Sequence, residues 1–140
     1  MGQMLTLAQF KGMRVWLVGG SEGIGFALAE QLLAAGARVL VSARQAQSHN
    51  GLIRLQSQYA QHLQLLNVDV MQTQELAEKV HQAWWVFSGL DVWIYNAGAY
   101  QPMTLDQWDL HAFEQMNGIN YLGAVHLMHH LLPLFRQSGA

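Results

Sequence analysis

Two rhythms of apolar residues alternate along this chain. Short, nearly unbroken apolar runs recur at Arg14 to Val18, Arg38 to Ser42, Leu63 to Val68 and Asp91 to Tyr95. Runs of that length without polar alternation predict strands buried on both faces. Between them, apolar residues return at helical spacing. Gly23 to Ala35 predicts a helix with Ile24, Ala27, Leu28, Leu32 and Ala35 on its inward face, stopped by Gly36. Gln45 to Gln61 predicts a polar, glutamine-rich helix interrupted by Gly51. Thr73 to Ser88 predicts a helix that carries Leu76, Val80, Ala83 and Phe87 on one face. Leu110 to Gln137 predicts one long helix or a bent pair, with Pro133 near its end. Trp16 and Trp93 fall in strands, whereas the adjacent Trp84 and Trp85 cannot both face inward.

Strand–helix alternation implies right-handed crossovers and a parallel sheet. The expected spatial order is 3-2-1-4, the first part of a doubly wound α/β sheet, and residues 1–140 are expected to form one domain. In such sheets, ligands collect beyond the strand C-termini, where the winding reverses. That point lies between the first and fourth strands.

Composition narrows the function classes. The chain is 51% hydrophobic and 11% charged, with a formal net charge of −2, which gives no electrostatic footprint for nucleic acid. There is no cysteine, so disulfides and thiolate metal sites are excluded, and a cytoplasmic location is expected. No apolar run approaches the roughly 18 residues of a membrane span. Met1 to Thr6 fits the short myristoylation pattern, a permissive one that chance explains better. His126, His129 and His130 include an i, i+4 pair on one helix face, but no acidic residue or third ligand accompanies them, so they read as helix surface rather than metal ligands.

Both strands that flank the switch point carry a signature. The first strand runs into Val18-Gly19-Gly20-Ser21-Glu22-Gly23-Ile24-Gly25 and then into a helix. A sharp strand-to-helix turn needs positive φ or bare backbone, and a helix N-terminus accepts a pyrophosphate. In that reading Gly19 makes the turn, Gly23 admits phosphate close to the backbone, and Gly25 lets the helix approach the strands. The fourth strand ends in Tyr95-Asn96-Ala97-Gly98, a second tight, glycine-containing turn.

Taken together, these motifs resemble those of the short-chain dehydrogenase/reductases over essentially all 140 residues. The family's T-G-x-x-x-G-x-G maps onto Val18 to Gly25, and its N-N-A-G onto Tyr95 to Gly98. Its adenine-contacting acid maps onto Asp69, followed by Val70, and its helix asparagine onto Asn120. The Asn120-Tyr121-Leu122-Gly123 stretch also resembles the branch that reduces 3-ketodihydrosphingosine. The resemblance implies a Rossmann-like fold, carbonyl–alcohol interconversion and a nicotinamide dinucleotide held by Gly19, Ser21, Glu22, Gly23, Ile24, Gly25, Arg44, Asp69, Val70, Asn96, Ala97 and Gly98. Arg44 follows the second strand, where the family places a basic residue against an adenosine 2′-phosphate. No acid occupies Ser42 or Ala43, so NADP(H) is favoured over NAD(H), although Glu22 sets negative charge in the loop.

Two positions and one missing motif depart from the family. Val18 stands for the usual threonine and Tyr95 for the first asparagine. No tyrosine precedes a lysine by four positions; the only lysines are Lys11 and Lys79. Asn120 is then the one member of the family's catalytic set at hand, and with no lysine to serve, its expected role is a structural bond to neighbouring backbone. The chain is expected to supply the dinucleotide-binding part, truncated after about four strands, without the catalytic serine and Tyr-x-x-x-Lys. Negligible turnover alone and a homo-oligomer joined through the exposed fourth strand follow as expectations. The alternatives are a non-catalytic NADP(H)-binding module and a structural, oligomerising remnant.

Overall fold

A computed structural model describes residues 6–139; the myristoylation pattern falls largely outside them. Four parallel strands form the sheet: β1 (Arg14–Val18), β2 (Arg38–Ala43), β3 (Leu63–Asn67) and β4 (Val92–Tyr95), in the order β3-β2-β1-β4. This is the order expected from the sequence. In register, Trp16 of β1 sits between Leu40 of β2 and Trp93 of β4.

Helices cover both faces. Helices α1 (Gly23–Ala34) and α2 (Asn50–Tyr59) lie on one face, where Val15, Leu17, Val39 and Val41 pack against Ala29, Leu32, Leu33, Leu52 and Leu55. Helix α3 (Leu76–Val86) covers the other, with α4 (Leu110–Asn117) and α5 (Gly123–Gln137) following β4; there Trp16, Val18 and Leu40 meet Leu76, Val80, Ala83, Leu127 and Leu131. Successive strand residues point to opposite faces, so both sets of a continuous apolar run are buried. Trp16 is buried together with Ser42, and its Nε1 donates to Ser42 Oγ at 2.9 Å. That bond satisfies the indole and removes Ser42 from any ligand surface.

Several expected boundaries shift, each for a local reason. The buried stripe of α1 is Gly25, Ala29, Leu32 and Leu33, while Ile24 is 80% exposed and Ala27 also faces solvent. This corrects the expected inward face. Gly25 must lie against β1's exit loop, which fixes the helix rotation; apolar periodicity could not, because the helix is apolar almost all round. Gly36 does stop this segment, at φ +92°.

The single helix expected over Gln45 to Gln61 is instead a 3-10 turn (Ala46–Ser48), α2, and a second 3-10 turn (Ala60–His62). The break is at His49, whose extended backbone and Nδ1, accepting from Leu52 N–H at 3.3 Å, cap α2. Thr73–Glu75 is likewise a 3-10 turn before α3. Trp84 is buried and Trp85 exposed, as adjacency on a helix requires.

The long C-terminal helix is continuous but not uniform. A π-helical turn, Gly118–Leu122, joins α4 to α5, with helical backbone angles at both junctions. Asp109 caps α4 by accepting from Ala112 N–H at 3.2 Å. Pro133 lies inside α5.

Candidate functional site

Beyond β1 the backbone turns at Gly19, at φ +91°. A side chain there would overlap the backbone of Ala97, so the two signature loops touch. Gly19 N–H donates to Ser42 O at 2.7 Å and Asn96 N–H to Val18 O at 2.8 Å, which extends the sheet by one residue past the strands. The Asn96 amide then donates to Gly19 O at 3.0 Å. Gly25 sits over the same carbonyl, so that a Cβ would collide with it and lie 2.7 Å from Asn96 Nδ2. Gly19, Gly25 and Asn96 therefore form one locked contact among β1, α1 and β4.

Gly23 differs. At φ +57°, its missing side chain would meet no heavy atom within 4 Å. Its role is open backbone rather than packing. The first intrahelical bond of α1 is Phe26 N–H to Glu22 O, so the amides of Gly23, Ile24 and Gly25 have no intrahelical acceptor. A positive helix end with bare amides and cleared space has the chemistry to hold a pyrophosphate. The residues present fit that group.

A groove of about 330 Å³ runs past this turn. Gly19, Ser21, Glu22, Arg44, Asp69, Val70, Asn96, Ala97 and Gly98 line it. The structure thus brings most of the expected cofactor-binding positions together; Gly23, Ile24 and Gly25 lie at the helix start outside its lining. Val18, Ala43, Val68, Ala99 and Ile119 also line it and were not among the expected cofactor-binding residues. Small or apolar groups without a motif leave no sequence signal. His49 was also missed. It stands with Ser21, Glu22 and Arg44 in an adjoining groove, and its nearness to Arg44 in sequence was the one available sign.

Asp69 holds the turn after β3, where its Oδ1 accepts from Met71 N–H at 3.0 Å. Its edge still lines the groove. Asn120 sits in the π-helical turn and makes a two-point bond to Ala99, accepting from its N–H at 2.6 Å and donating to its carbonyl at 2.8 Å. This is the backbone bond expected of it. The amide ties the π turn to the loop after β4.

The substituted Tyr95 supports the same junction. Its hydroxyl donates to the Ile119 carbonyl, and Gly123 leaves room for it. Burial pushes the phenol up to about 12. Val18, in place of threonine, is buried in the core beside Trp16. On α5, the His129 and His130 rings meet edge-on at 5.0 Å, and burial, then the neighbouring histidines, hold His130 below the usual imidazole range.

Comparison with known proteins decides the lineage. The family model described as "short chain dehydrogenase" matches residues 14–140. This chain belongs to that family.

A rhamnolipid-biosynthesis 3-oxoacyl-[acyl-carrier-protein] reductase of Pseudomonas aeruginosa is 33% identical over 91% of the chain. A Pseudomonas aeruginosa RhlG/NADP active-site complex superposes at TM-score 0.83 with 27% identity, over 96% of the chain and 52% of its own. An NADH-dependent reductase complexed with NAD shares the fold at TM-score 0.82 and 24% identity, over 95% of this chain and 56% of that one. The chain spans about half the length of these relatives, 50% for the acyl-carrier-protein reductase. Solved structures that share this Rossmann-like α/β fold thus include both NADP and NAD complexes. Among the described residues, no helix is long and apolar enough to cross a membrane.

Proposed function

We propose that this chain forms the dinucleotide-binding part of a short-chain oxidoreductase that interconverts a carbonyl and an alcohol, and that it prefers NADP(H) to NAD(H). The observation that carries the preference is Arg44. It projects from the end of β2 into both grooves, and among the described residues no carboxylate pairs with it. A guanidinium presents forked donors suited to phosphate oxygens. Neither Ser42 nor Ala43 is an acid, and Ser42 is buried against Trp16.

Gly19, Gly23, Ile24 and Gly25 would hold the pyrophosphate, with Ser21 and Glu22 at its edge. Asp69 and Val70 would flank the adenine, and Asn96, Ala97 and Gly98 would bring backbone to the second ribose. When bound, the nicotinamide supplies or accepts hydride; the protein positions it. Asn120 holds the loop that carries Ala99. Residues 1–140 by themselves contain no tyrosine–lysine pair to move a proton, so this segment alone is expected to bind cofactor with negligible turnover.

A non-catalytic NADP(H)-binding module is the second reading. It is favoured by Asn120, whose side-chain oxygen and nitrogen each bond the backbone of Ala99. Self-association through β4 belongs to the proposal as well, because among the described residues β4 pairs on one side only, with β1. Trp93 Nε1 and His126 Nδ1 are also buried without a hydrogen-bond partner among the described residues. A cytoplasmic location completes it.

Calorimetric titration of the folded chain with NADPH and NADH tests the reading. Saturable binding that favours NADPH, with the preference lost in Arg44→Ala, supports it. Tight binding of NADH with Arg44→Ala silent would defeat the NADP(H) preference. Light scattering at micromolar concentration tests self-association, and a clean monomer would remove it.

A further inference from the structure

The groove beside Arg44 contains an arrangement that the proposed cofactor preference does not explain. About 360 Å³ in volume, it is lined by Ser21, Glu22, Ala43, Arg44, Gln45 and His49. A carboxylate and a guanidinium thus share one small cleft. Left to itself, Glu22 would oppose any phosphate drawn to Arg44, either by pairing with the guanidinium or by direct repulsion.

The carboxylate faces another group. Glu22 Oε1 stands 3.9 Å from His49 Nε2. The His49 ring is held for this contact from its other side. Its Nδ1 accepts from Leu52 N–H, which makes Nε2 the protonated nitrogen of the neutral ring. Gly51 lies against the ring edge, where a Cβ would come within 3.1 Å of Cε1. Capping of α2 and orientation of the imidazole toward Glu22 are therefore one event.

We propose that His49 is a positioning residue for cofactor choice: it engages the Glu22 carboxylate and thereby leaves the Arg44 guanidinium open to an adenosine 2′-phosphate. The inference rests on the NADP(H) reading above and adds to it the device that reconciles an acidic residue in the loop with a phosphate-binding cleft. Glu22 is largely exposed and the contact, at 3.9 Å, is longer than a hydrogen bond, so the effect is small: a solvent-screened approach of a neutral imidazole N–H to a carboxylate corresponds to no more than about threefold in affinity.

Asparagine at position 49 keeps the helix cap but is too short to reach Glu22. The test is a double-mutant cycle on His49→Asn and Glu22→Gln, read as the ratio of NADPH to NADH affinity by tryptophan quenching, with melting temperatures in parallel. In His49→Asn, NADPH binding weakens about threefold while NADH binding is unchanged, on the scale of one screened pair. Glu22→Gln strengthens NADPH binding by a similar factor, and His49→Asn then has no further effect. Equal weakening for both nucleotides, or the same loss in the Glu22→Gln background, overturns the inference while wild-type preference for NADPH stands. A folded wild type without that preference overturns the NADP(H) reading and this inference together.

Discussion

Strands β2 and β4 both pair with β1 in parallel register, yet they live in different surroundings. The four central residues of β2, Val39 to Ser42, are fully buried. No residue of β4 reaches that state, although Val92-Trp93-Ile94-Tyr95 is as apolar as its counterpart. The difference is the number of neighbours: β2 lies between β3 and β1, and among the described residues β4 has β1 alone. The same contrast extends to the helices. Leu110, Phe113, Tyr121, Met128 and Leu132, beyond β4, leave large apolar surface exposed, whereas Leu52 and Leu55 of α2 are buried under β2. Burial follows topology here rather than side-chain hydrophobicity. The adenosine side of the site is closed by its own βαβ unit; the β4 side is held by a few directed bonds.

Core truncation breaks this comparison most directly. Leu40→Ala in β2 is expected to cost about 3–4 kcal/mol, and Ile94→Ala in β4 about half as much, because a half-buried site loses less transfer energy and leaves a smaller cavity. Denaturant titration of the two variants measures the difference, and equal losses would show that the two strands are packed alike.

Gly25→Ala probes the contact that joins the two halves. Its Cβ would collide with the Gly19 carbonyl, so a loss of about 2 kcal/mol is expected despite the better helix propensity of alanine. Gly23→Ala meets only open space, so its thermal midpoint should fall less, through the strain of its positive φ.

Tyr95→Phe sharpens the account of the β4 side. It removes the hydroxyl's bond to Ile119, at a cost of about 1 kcal/mol. The folded phenol, raised to about 12 by burial, holds its proton more tightly than the unfolded one. Stability is therefore full below the unfolded value, about 10, and falls as the pH rises toward 12. The phenylalanine variant should lose that alkaline slope, which denaturation at pH 8 to 12 would show.

The smallest effect is expected at the base of the sheet. Arg14 binds Asp91 through Nε and Nη2, both at 3.0 Å, and through its own N–H at 2.8 Å. The Arg14 hydrogen bonds hold the Asp91 carboxyl below its usual range, against a burial effect that raises it. Its contribution is present above the unfolded pKa and lost as pH falls through the lower folded one. The pair is partly exposed, so Asp91→Asn is expected to cost about 0.5–1 kcal/mol at neutral pH, an effect that disappears in acid.

The strands and their order were legible in the sequence because a parallel strand covered on both faces must be a continuous apolar run. The glycine turn was legible because few residues other than glycine tolerate its angles and contacts. The inward face of α1 was not, since Ile24 and Ala29 look alike in an apolar helix, and only the contact of Gly25 with Gly19 distinguishes them. The break at His49 was hidden because histidine is not a usual capping residue. The π turn had no sequence mark, yet it sets Asn120 opposite Ala99. The pairing of His49 with Glu22 depends on the path of two separate loops, which spacing along the chain does not encode.

The most direct measurement of the central claim is backbone amide mapping by NMR as NADPH is added to the isotope-labelled chain. The account predicts shifts centred on Gly19 to Gly25, Arg44, Asp69 and Val70, and Asn96 to Ala99, with β3 and the outer faces of α4 and α5 unmoved. A folded chain that showed no shifts, or shifts confined to surfaces away from the two glycine-containing turns, would contradict it.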